Sequence, residues 1–219
     1  MRWLASSPCP LCGKGDWLQE ACPSCRQQLN LPSTRLSGRS PLPWWGAGRY
    51  EGRLRTTLLR LRPEPDAATM QALVGGLVAD LRRDRPQSWP QRVVLVPIPS
   101  WQLNGNPLPG LLANCLAPGL GAPQAWELLQ RSRPVLGQHR LQRRQRWANQ
   151  QRSFRAVSPA SAPAHGGAAV LLVDDVLTSG ATGLAAAKAL EMAGWPVAGL
   201  ICLARTPRQR HPKAAPRPR

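Results

Sequence analysis

Acidic residues are scarce in this chain of 219 residues, where 11 Asp and Glu stand against 29 Lys and Arg and the formal net charge is +18. Such a charge predicts a partner of opposite sign, most often nucleic acid or a phosphorylated ligand and less often an anionic membrane surface. Lysine is scarce as well, because only Lys14, Lys188 and Lys213 occur and nearly all the positive charge is arginine. An arginine-biased genome is therefore a second explanation for part of the charge.

Long apolar runs are also missing. No segment approaches the roughly 18 continuous apolar residues of a membrane span. The opening stretch MRWLASSPCP lacks the apolar core of a secretory signal. These absences predict a cytoplasmic protein without membrane insertion, and in that reducing compartment closely spaced cysteines bind metal more often than they form disulfides.

Cysteines are few, but four of them are grouped. The stretch CPLCGKGDWLQEACPSC contains two Cys-x-x-Cys pairs, Cys9 with Cys12 and Cys22 with Cys25. Each pair lets two thiolates reach one ion, and two pairs complete a tetrahedral four-cysteine zinc site. We therefore predict a structural zinc ion, with a redox dithiol as the alternative. The module itself suits nucleic-acid contact, a stabilising cap or a protein-docking surface.

The composition and apolar patterning of the sequence divide the chain into three parts. Residues 1–43 are punctuated by cysteine and proline and are predicted to form the zinc module and a linker, with SGRSPLPWWGAG interpreted as linker or loop. Residues 44–206 carry periodic apolar patterns and are predicted to form the main domain. Residues 207–219 have no acid and almost no apolar side chain, which predicts a disordered basic tail.

The main domain is predicted to be α/β. YEGRLRTTLLRLR and DAATMQALVGGLVADLRR space apolar residues as helices do, whereas RVVLVPIP, AVLLVDD and PVAGLICLA are apolar runs of strand length. NPLPGLLANCLAPGLG is predicted to hold one short helix at most. The Ala-rich GATGLAAAKALEMAG lies between the last two strands and completes a βαβ unit, which belongs to a parallel sheet with helices on its faces.

Two adjacent acids, Asp174 and Asp175, end one of these strands, where ligands of parallel sheets bind. Their mutual repulsion is relieved by a cation or by hydroxyl donors, so the pair suits ribose hydroxyls or magnesium. The following TSGAT offers backbone N–H groups, hydroxyls and a helix N-terminus, which together make a phosphate cradle. A simpler interpretation is that Asp175 or Thr178 only caps the helix.

Val170 to Thr182 resembles the phosphoribosyl-pyrophosphate (PRPP) motif of type I phosphoribosyltransferases. The resemblance implies that fold for the main domain. It makes Asp174 and Asp175 the candidate catalytic residues, contacting the ribose hydroxyls of PRPP in the presence of magnesium. It also implies a set of residues that hold the 5-phosphate: Thr178, Ser179, Gly180, Ala181 and Thr182.

An arginine-rich stretch precedes this motif, and no acid lies between Glu127 and Asp174. Such a block either stays solvated or faces an anion. The order of zinc module, YEGRLR, VPIP, basic stretch and PRPP motif resembles the ComF family of competence-associated, GntX-like proteins. That resemblance implies a hood over the site, with Gln138, Arg143, Arg144 and Asn149 as candidate anion-binding residues. Arg131 and Arg133 of the same stretch are further candidates, because they could supply cations to the pyrophosphate side of the site.

After VPIP the ComF family usually continues into an arginine-rich loop, whereas this chain has SWQLNGNPLPGLLANCLA and no basic residue between Arg92 and Arg131. A leaving pyrophosphate needs cations, so the pattern predicts binding of PRPP or a nucleotide more firmly than turnover. The resemblance implies single-stranded DNA handling during natural transformation, with a helicase-like competence protein as partner. An active magnesium-dependent transferase acting on a nitrogenous base, and a sugar-phosphate-binding scaffold, are the alternatives.

Overall fold

In a computed structural model of the chain, the described residues are 8–17, 20–100, 105–132, 153–161, 165 and 167–207. The helices are α1 (Pro23–Gln28), α2 (Gly52–Leu61), α3 (Ala67–Arg83), α4 (Leu108–Leu120) and α5 (Ala181–Met192). The strands are β1 (Leu36–Gly38), β2 (Trp44–Arg49), β3 (Val93–Pro97), β4 (Leu129–Arg131), β5 (Phe154–Ala156), β6 (Ala169–Leu177) and β7 (Val197–Arg205).

Five strands form the central sheet in the order β1-β2-β7-β6-β3, while β4 and β5 form a separate antiparallel pair. Strand β1 is antiparallel to β2, and the other neighbours are parallel. In the register of β3 with β6, Pro97 lies opposite Val173. The acid pair therefore begins just past the end of β3, at the carboxyl edge of the sheet.

The apolar runs become central strands because both faces of the sheet are covered. Successive side chains of β6 alternate between two cores: Leu171 and Val173 pack on one side with α2, α3 and α4. Val170 and Leu172 pack on the other side with α5. All four are fully buried, and burial of such a side chain contributes about 1.5–3 kcal/mol. The predicted parallel α/β arrangement is confirmed.

The interpretation of residues 37–48 as a linker is wrong. Most of this stretch lies in β1 and β2, and β2 pairs with β7 inside the sheet. Glycine weakens a strand signal, which hid β2. The glycines are needed for packing, since a Cβ on Gly46 would lie 3.0 Å from the Cys202 Sγ and one on Gly48 would lie 2.6 Å from the Leu54 Cδ2.

The short helix expected in residues 106–121 is instead the 13-residue α4, with Pro118 inside it. It ends at Gly121, whose left-handed backbone (φ 60°) suits glycine. Several prolines and glycines weakened the sequence signal. The helix forms because its apolar side is buried in the same core as α3, through Leu108, Leu112 and Leu116.

The cysteine module packs directly on α3. Buried Ala72 of α3 lies in one apolar cluster with three of the cysteines, and Leu29 after α1 joins the main core. Gly76 of α3 lies close to the module, because a Cβ there would lie 2.9 Å from the Arg26 Nη1. Within the described residues, no helix combines the length and apolar character needed to cross a membrane.

Candidate functional site

A cleft of about 620 Å³ opens at the carboxyl ends of β3 and β6. Its floor is the end of β6, and one wall is the segment that follows β3. The Asp174–Asp175 pair lines it together with Thr178 and Thr182 of the predicted phosphate loop. The described lining residues are Tyr50, Arg62, Pro63, Ile98, Pro99, Ser100, Gly105, Asn106, Pro109, Arg131, Asp174, Asp175, Val176, Thr178 and Thr182.

Asp175 is buried, with 5% of its surface exposed. Its Oδ2 accepts hydrogen bonds from the Arg62 Nη2 at 2.9 Å and Nε at 3.2 Å, and from the Asn106 Nδ2 at 2.8 Å. Asn106 also accepts the Leu108 backbone N–H through its Oδ1, at 3.2 Å, so it ties the start of α4 to the acid. The charge of Asp175 is thereby paired within the protein.

The electrostatic environment of Asp174 differs from that of Asp175. Burial and the neighbouring Asp175 charge raise its pKa well above the usual value, although Arg131 opposes this. Its Oδ1 accepts the Asp175 backbone N–H at 2.9 Å. A proton, a cation or a hydroxyl donor stabilises such a carboxylate, and ligand hydroxyls at its oxygens would do so too.

Arg131 enters the cleft from the end of β4. Its Nε donates to the Pro99 carbonyl at 3.0 Å, and its guanidinium lies 4.4 Å from the centre of the Phe154 ring. Burial lowers its pKa, and Asp174 opposes that shift. The Nη1 of Arg131 is buried and has no hydrogen-bond partner among the described residues. A ligand anion is a suitable acceptor for that donor.

The predicted phosphate loop follows β6. Gly180 has φ 79° and a Cβ there would lie 2.4 Å from the Pro41 Cγ, so glycine alone fits. Ala181 is the first residue of α5, and its N–H donates to the Ser179 Oγ at 3.3 Å. Arg205 supports the base of the loop by donating to the carbonyls of Leu177 and Thr178. The loop thus presents a helix N-terminus beside the acid pair.

The cleft combines acceptors and donors in a fixed order. Asp174 and Asp175 supply carboxylate oxygens, Thr178 and Thr182 of the loop line the same cleft, and Arg62 and Arg131 bring positive charge to it. A ligand that carries hydroxyls between two anionic groups matches this order. The arrangement contains no histidine or cysteine nucleophile among the described lining residues.

The four cysteines of the predicted zinc module come together. Their sulfur atoms all lie within 4.8 Å of one another, with Cys9 and Cys25 at 3.9 Å and Cys12 and Cys22 at 3.8 Å. A tetrahedral zinc with bonds of about 2.3 Å requires sulfurs about 3.8 Å apart. The donor set and its spacing therefore fit a zinc ion, which the protein would hold without an open coordination position.

Backbone groups support the thiolate of Cys9, whereas burial and the neighbouring cysteines raise the pKa of Cys25. The N–H of Cys22 donates to the Cys9 Sγ at 3.5 Å, and the N–H of Cys25 donates to the Cys22 Sγ at 3.4 Å. Burial disfavours the Cys9 thiolate, but the backbone donors of Cys22, Leu11 and Cys12 outweigh it and lower the pKa of Cys9 to about 6. Metal ligation needs deprotonated sulfur, so these donors prepare the site.

The chain has a relative among characterised proteins. It is 31% identical over 209 residues to the DNA utilization protein YhgH of Salmonella typhimurium, a ComF/GntX-like protein, and the match covers 91% of this chain and 85% of the relative. This chain belongs to the ComF/GntX-like family. A scan against models of known protein families finds no match.

In this ComF/GntX-like protein the structure brings together part of the predicted site. The acid pair, the loop and Arg131 surround or adjoin one cleft. Of the hood residues, Arg133, Gln138, Arg143, Arg144 and Asn149 lie outside the described residues, as does the basic tail from residue 208 onwards. Strands β4 and β5, which pair with each other, flank the basic segment in the sequence.

Sequence reasoning missed Arg62 and Asn106. Arg62 follows α2 and donates a hydrogen bond to Asp175, from which it is separated by 113 positions in the sequence. Asn106 also donates to Asp175, and the two are 69 positions apart. No local pattern distinguishes Arg62 from the other arginines of the chain. The position of Asn106, two residues before the first residue of α4 and in a segment rich in proline and glycine, is the one signal that could have marked it.

Proposed function

We propose that this ComF/GntX-like protein binds a ribose 5-phosphate group in the cleft, as PRPP with magnesium or as a nucleotide, and takes part in handling single-stranded DNA. The observation that carries the proposal is that the Asp174–Asp175 pair lines one cleft together with Thr178 and Thr182, at the N-terminal end of α5. The setting we propose is the cytoplasm, during DNA uptake in natural transformation, with a helicase-like competence protein as partner.

The sugar is supported by the acid pair. Two adjacent carboxylates repel an anionic ligand unless its hydroxyls or a magnesium ion face them, so a bare phosphate is a poor ligand here. Thr178 and Thr182 line the same cleft, at the N-terminal end of α5. A phosphate at that end and a diol at the acids have the relative arrangement of a ribose 5-phosphate. We extend the proposal to a type I phosphoribosyltransferase fold for residues 44–206.

The DNA role is supported by charge and by the relative. The chain carries a net charge of +18, which favours a polyanionic partner. The relative from Salmonella is named a DNA utilization protein. A strongly basic protein is suited to single-stranded DNA, whose backbone is a chain of phosphates.

Calorimetry tests the sugar-phosphate site. PRPP is titrated, with and without magnesium, into the wild-type protein and into a double variant with Asp174→Asn and Asp175→Asn. We expect magnesium-dependent binding to the wild type and at least about a hundredfold weaker binding to the variant, since two charge-assisted interactions are removed. A control with Asp84→Asn and Glu191→Gln removes two exposed carboxylates outside the cleft. Equal binding by all three proteins contradicts the proposal.

A working phosphoribosyltransferase is the second candidate function. The observation that favours it is the presence of two arginines in the cleft, Arg62 and Arg131, in a protein whose segment after β3 carries none. A leaving pyrophosphate needs cations, and the buried Nη1 of Arg131 has no hydrogen-bond partner among the described residues. Pyrophosphate release from PRPP and a panel of bases, abolished in Asp175→Asn, supports this candidate. PRPP binding without release for any base leaves the binding function alone.

A further inference from the structure

A second groove of about 620 Å³ is lined by residues of the outer strands of the sheet and does not include the acid pair. It runs beside β1 and β2 and reaches the end of β7. We call it the edge groove and define it by six of its lining residues: Arg39, Trp44, Arg49, Arg205, Thr206 and Pro207. Sequence reasoning placed two of these residues, Arg39 and Trp44, in a linker or loop, and it did not bring the six together.

The charge of the edge groove has one sign. Arg39 and Arg49 are exposed, and Arg205 lies beside Arg49 because the two residues are register partners in β2 and β7. None of the described residues that line the groove is acidic. Within the described part of the chain, neither Arg39 nor Arg49 forms an ion pair. Such a concentration of cations attracts a chain of phosphates.

An aromatic side chain lies among these cations. The partly exposed Trp44 packs on Gly38, where a Cβ would lie 2.6 Å from the indole Nε1. The Arg205 guanidinium lies 5.6 Å from the Trp44 ring centre. The contact with Gly38 holds the indole in place while part of it stays exposed, and unpaired bases stack on exposed aromatic rings in proteins that bind single strands.

The wall of the groove also holds an unpartnered hydroxyl. The Thr206 Oγ1 is buried and has no hydrogen-bond partner among the described residues. A buried hydroxyl without a partner costs free energy, and a phosphate or base acceptor would satisfy it. Past Pro207 the sequence continues as RQRHPKAAPRPR, without an acid. The basic tail therefore starts where the groove ends.

From these features we propose that the edge groove binds single-stranded DNA, with arginines on the phosphates and a base stacked on Trp44. The inference rests on the DNA role proposed above and gives that role a location separate from the cleft. A duplex is a weaker ligand, because its bases are already stacked and leave the indole without a partner. The occupant is thus a flexible polyanion with exposed rings.

The test uses the full-length protein and a fluorescein-labelled oligothymidylate of about 20 nucleotides, long enough for one binding site. Anisotropy titrations at several salt concentrations compare the wild type with an Arg39→Gln, Arg49→Gln double variant. The matched control is Arg60→Gln with Arg82→Gln, which removes two exposed arginines of α2 and α3. Arg205 is left intact because it supports the phosphate loop.

We expect the groove variant to bind about tenfold or more weakly than the control. Its salt dependence should fall by about 1.4 in the slope of log K against log salt, at about 0.7 for each phosphate that an arginine no longer neutralises. Trp44→Leu should weaken binding about tenfold without changing that slope, because stacking carries no charge. Melting temperatures within a few degrees of the wild type confirm that each variant is folded.

Equal affinity and equal slope for the groove and control variants overturn the inference, as does a wild type that binds no oligonucleotide. Neither result bears on PRPP binding in the cleft. Conversely, a cleft variant that keeps full PRPP affinity defeats the sugar-phosphate proposal while leaving the edge groove in place. A weakening confined to duplex DNA also contradicts the inference, since stacking on Trp44 requires unpaired bases.

Discussion

The cleft and the edge groove have the same volume, about 620 Å³ each, but they differ in the charges of the residues that line them. The cleft sets two acids against Arg62 and Arg131, so its charge is nearly balanced. The groove has arginines and no described acid. Balanced charge selects ligands by the position of their hydroxyls, whereas charge of one sign attracts any polyanion. One sheet can therefore carry a selective site and a general one.

Of the changes predicted here, loss of the proposed zinc ion should have the largest effect on both the cleft and the edge groove. Chelation of zinc, or Cys22→Ser with Cys25→Ser, withdraws the support of the module from α3 and from the main core. We expect a decrease of more than about 5 kcal/mol in the free energy of unfolding, since structural zinc contributes about 10–16 kcal/mol in zinc-finger peptides. Metal analysis and thermal melts check this. An unchanged melt after chelation would mean that the module is no zinc site.

Asp80→Ala should affect the edge groove more than the cleft. Asp80 is buried, and its Oδ2 accepts a hydrogen bond from the Arg35 Nη1 at 2.8 Å. Arg35 immediately precedes β1. Removing the acid leaves Arg35 without its buried partner and should cost about 3 kcal/mol. Because β1 borders the edge groove, DNA affinity should fall while PRPP binding persists. A variant in which both affinities fall equally would show that the two regions are not independent.

The same acid predicts a dependence of stability on pH. Burial opposes ionisation of Asp80, but hydrogen bonds and charge from Arg35, with charge from Arg83, outweigh burial and hold its pKa below the usual range. Since the folded pKa lies below the unfolded value of about 3.9, the stabilisation is present above that pH and is lost as pH falls through the folded pKa. Asp80→Asn should show a shallower loss of stability in acid; an identical acid profile contradicts this.

Gly180→Ala should weaken the cleft and spare the groove. An alanine at φ 79° is strained, and its Cβ would meet Pro41. We expect PRPP affinity to fall about tenfold, which corresponds to about 1.4 kcal/mol, with oligothymidylate affinity unchanged. Gly121→Ala, at a similar φ of 60° with no atom within 4 Å of the added Cβ, is the matched control. Equal effects of the two substitutions would trace the weaker binding to backbone strain alone.

The smallest effect concerns Asp174. Its folded pKa is raised by burial and by Asp175, so ionising it in the folded protein costs stability once pH rises above the unfolded value of about 3.9. Asp174→Asn should therefore raise the melting temperature near pH 8 by about 2–4 °C for each kcal/mol relieved, with little change near pH 3. The same variant should bind PRPP poorly. A lower melting temperature near pH 8 would contradict the proposed electrostatics.

The cleft and the edge groove also differ in how far they could be predicted. Strands β3 and β6 were predictable because their apolar runs stay buried on both faces. Strand β2 was not, since Gly46 and Gly48 are typical of loops and serve here to admit Cys202 and Leu54. The acid pair was predictable as a site because two carboxylates at a strand end need an explanation. The edge groove was not predictable, because it depends on a strand interpreted as linker.

By itself, the sequence determined the features that depend only on residues close together in the chain. The two Cys-x-x-Cys pairs, the continuous apolar run of β6 and the acids before a glycine loop are all set within a few residues. Only the tertiary structure decided which charges meet: Arg62 reaches Asp175 across 113 residues, and Arg49 lies beside Arg205 because β2 pairs with β7. Such contacts follow from strand pairing and packing, which bring distant residues together without any local pattern.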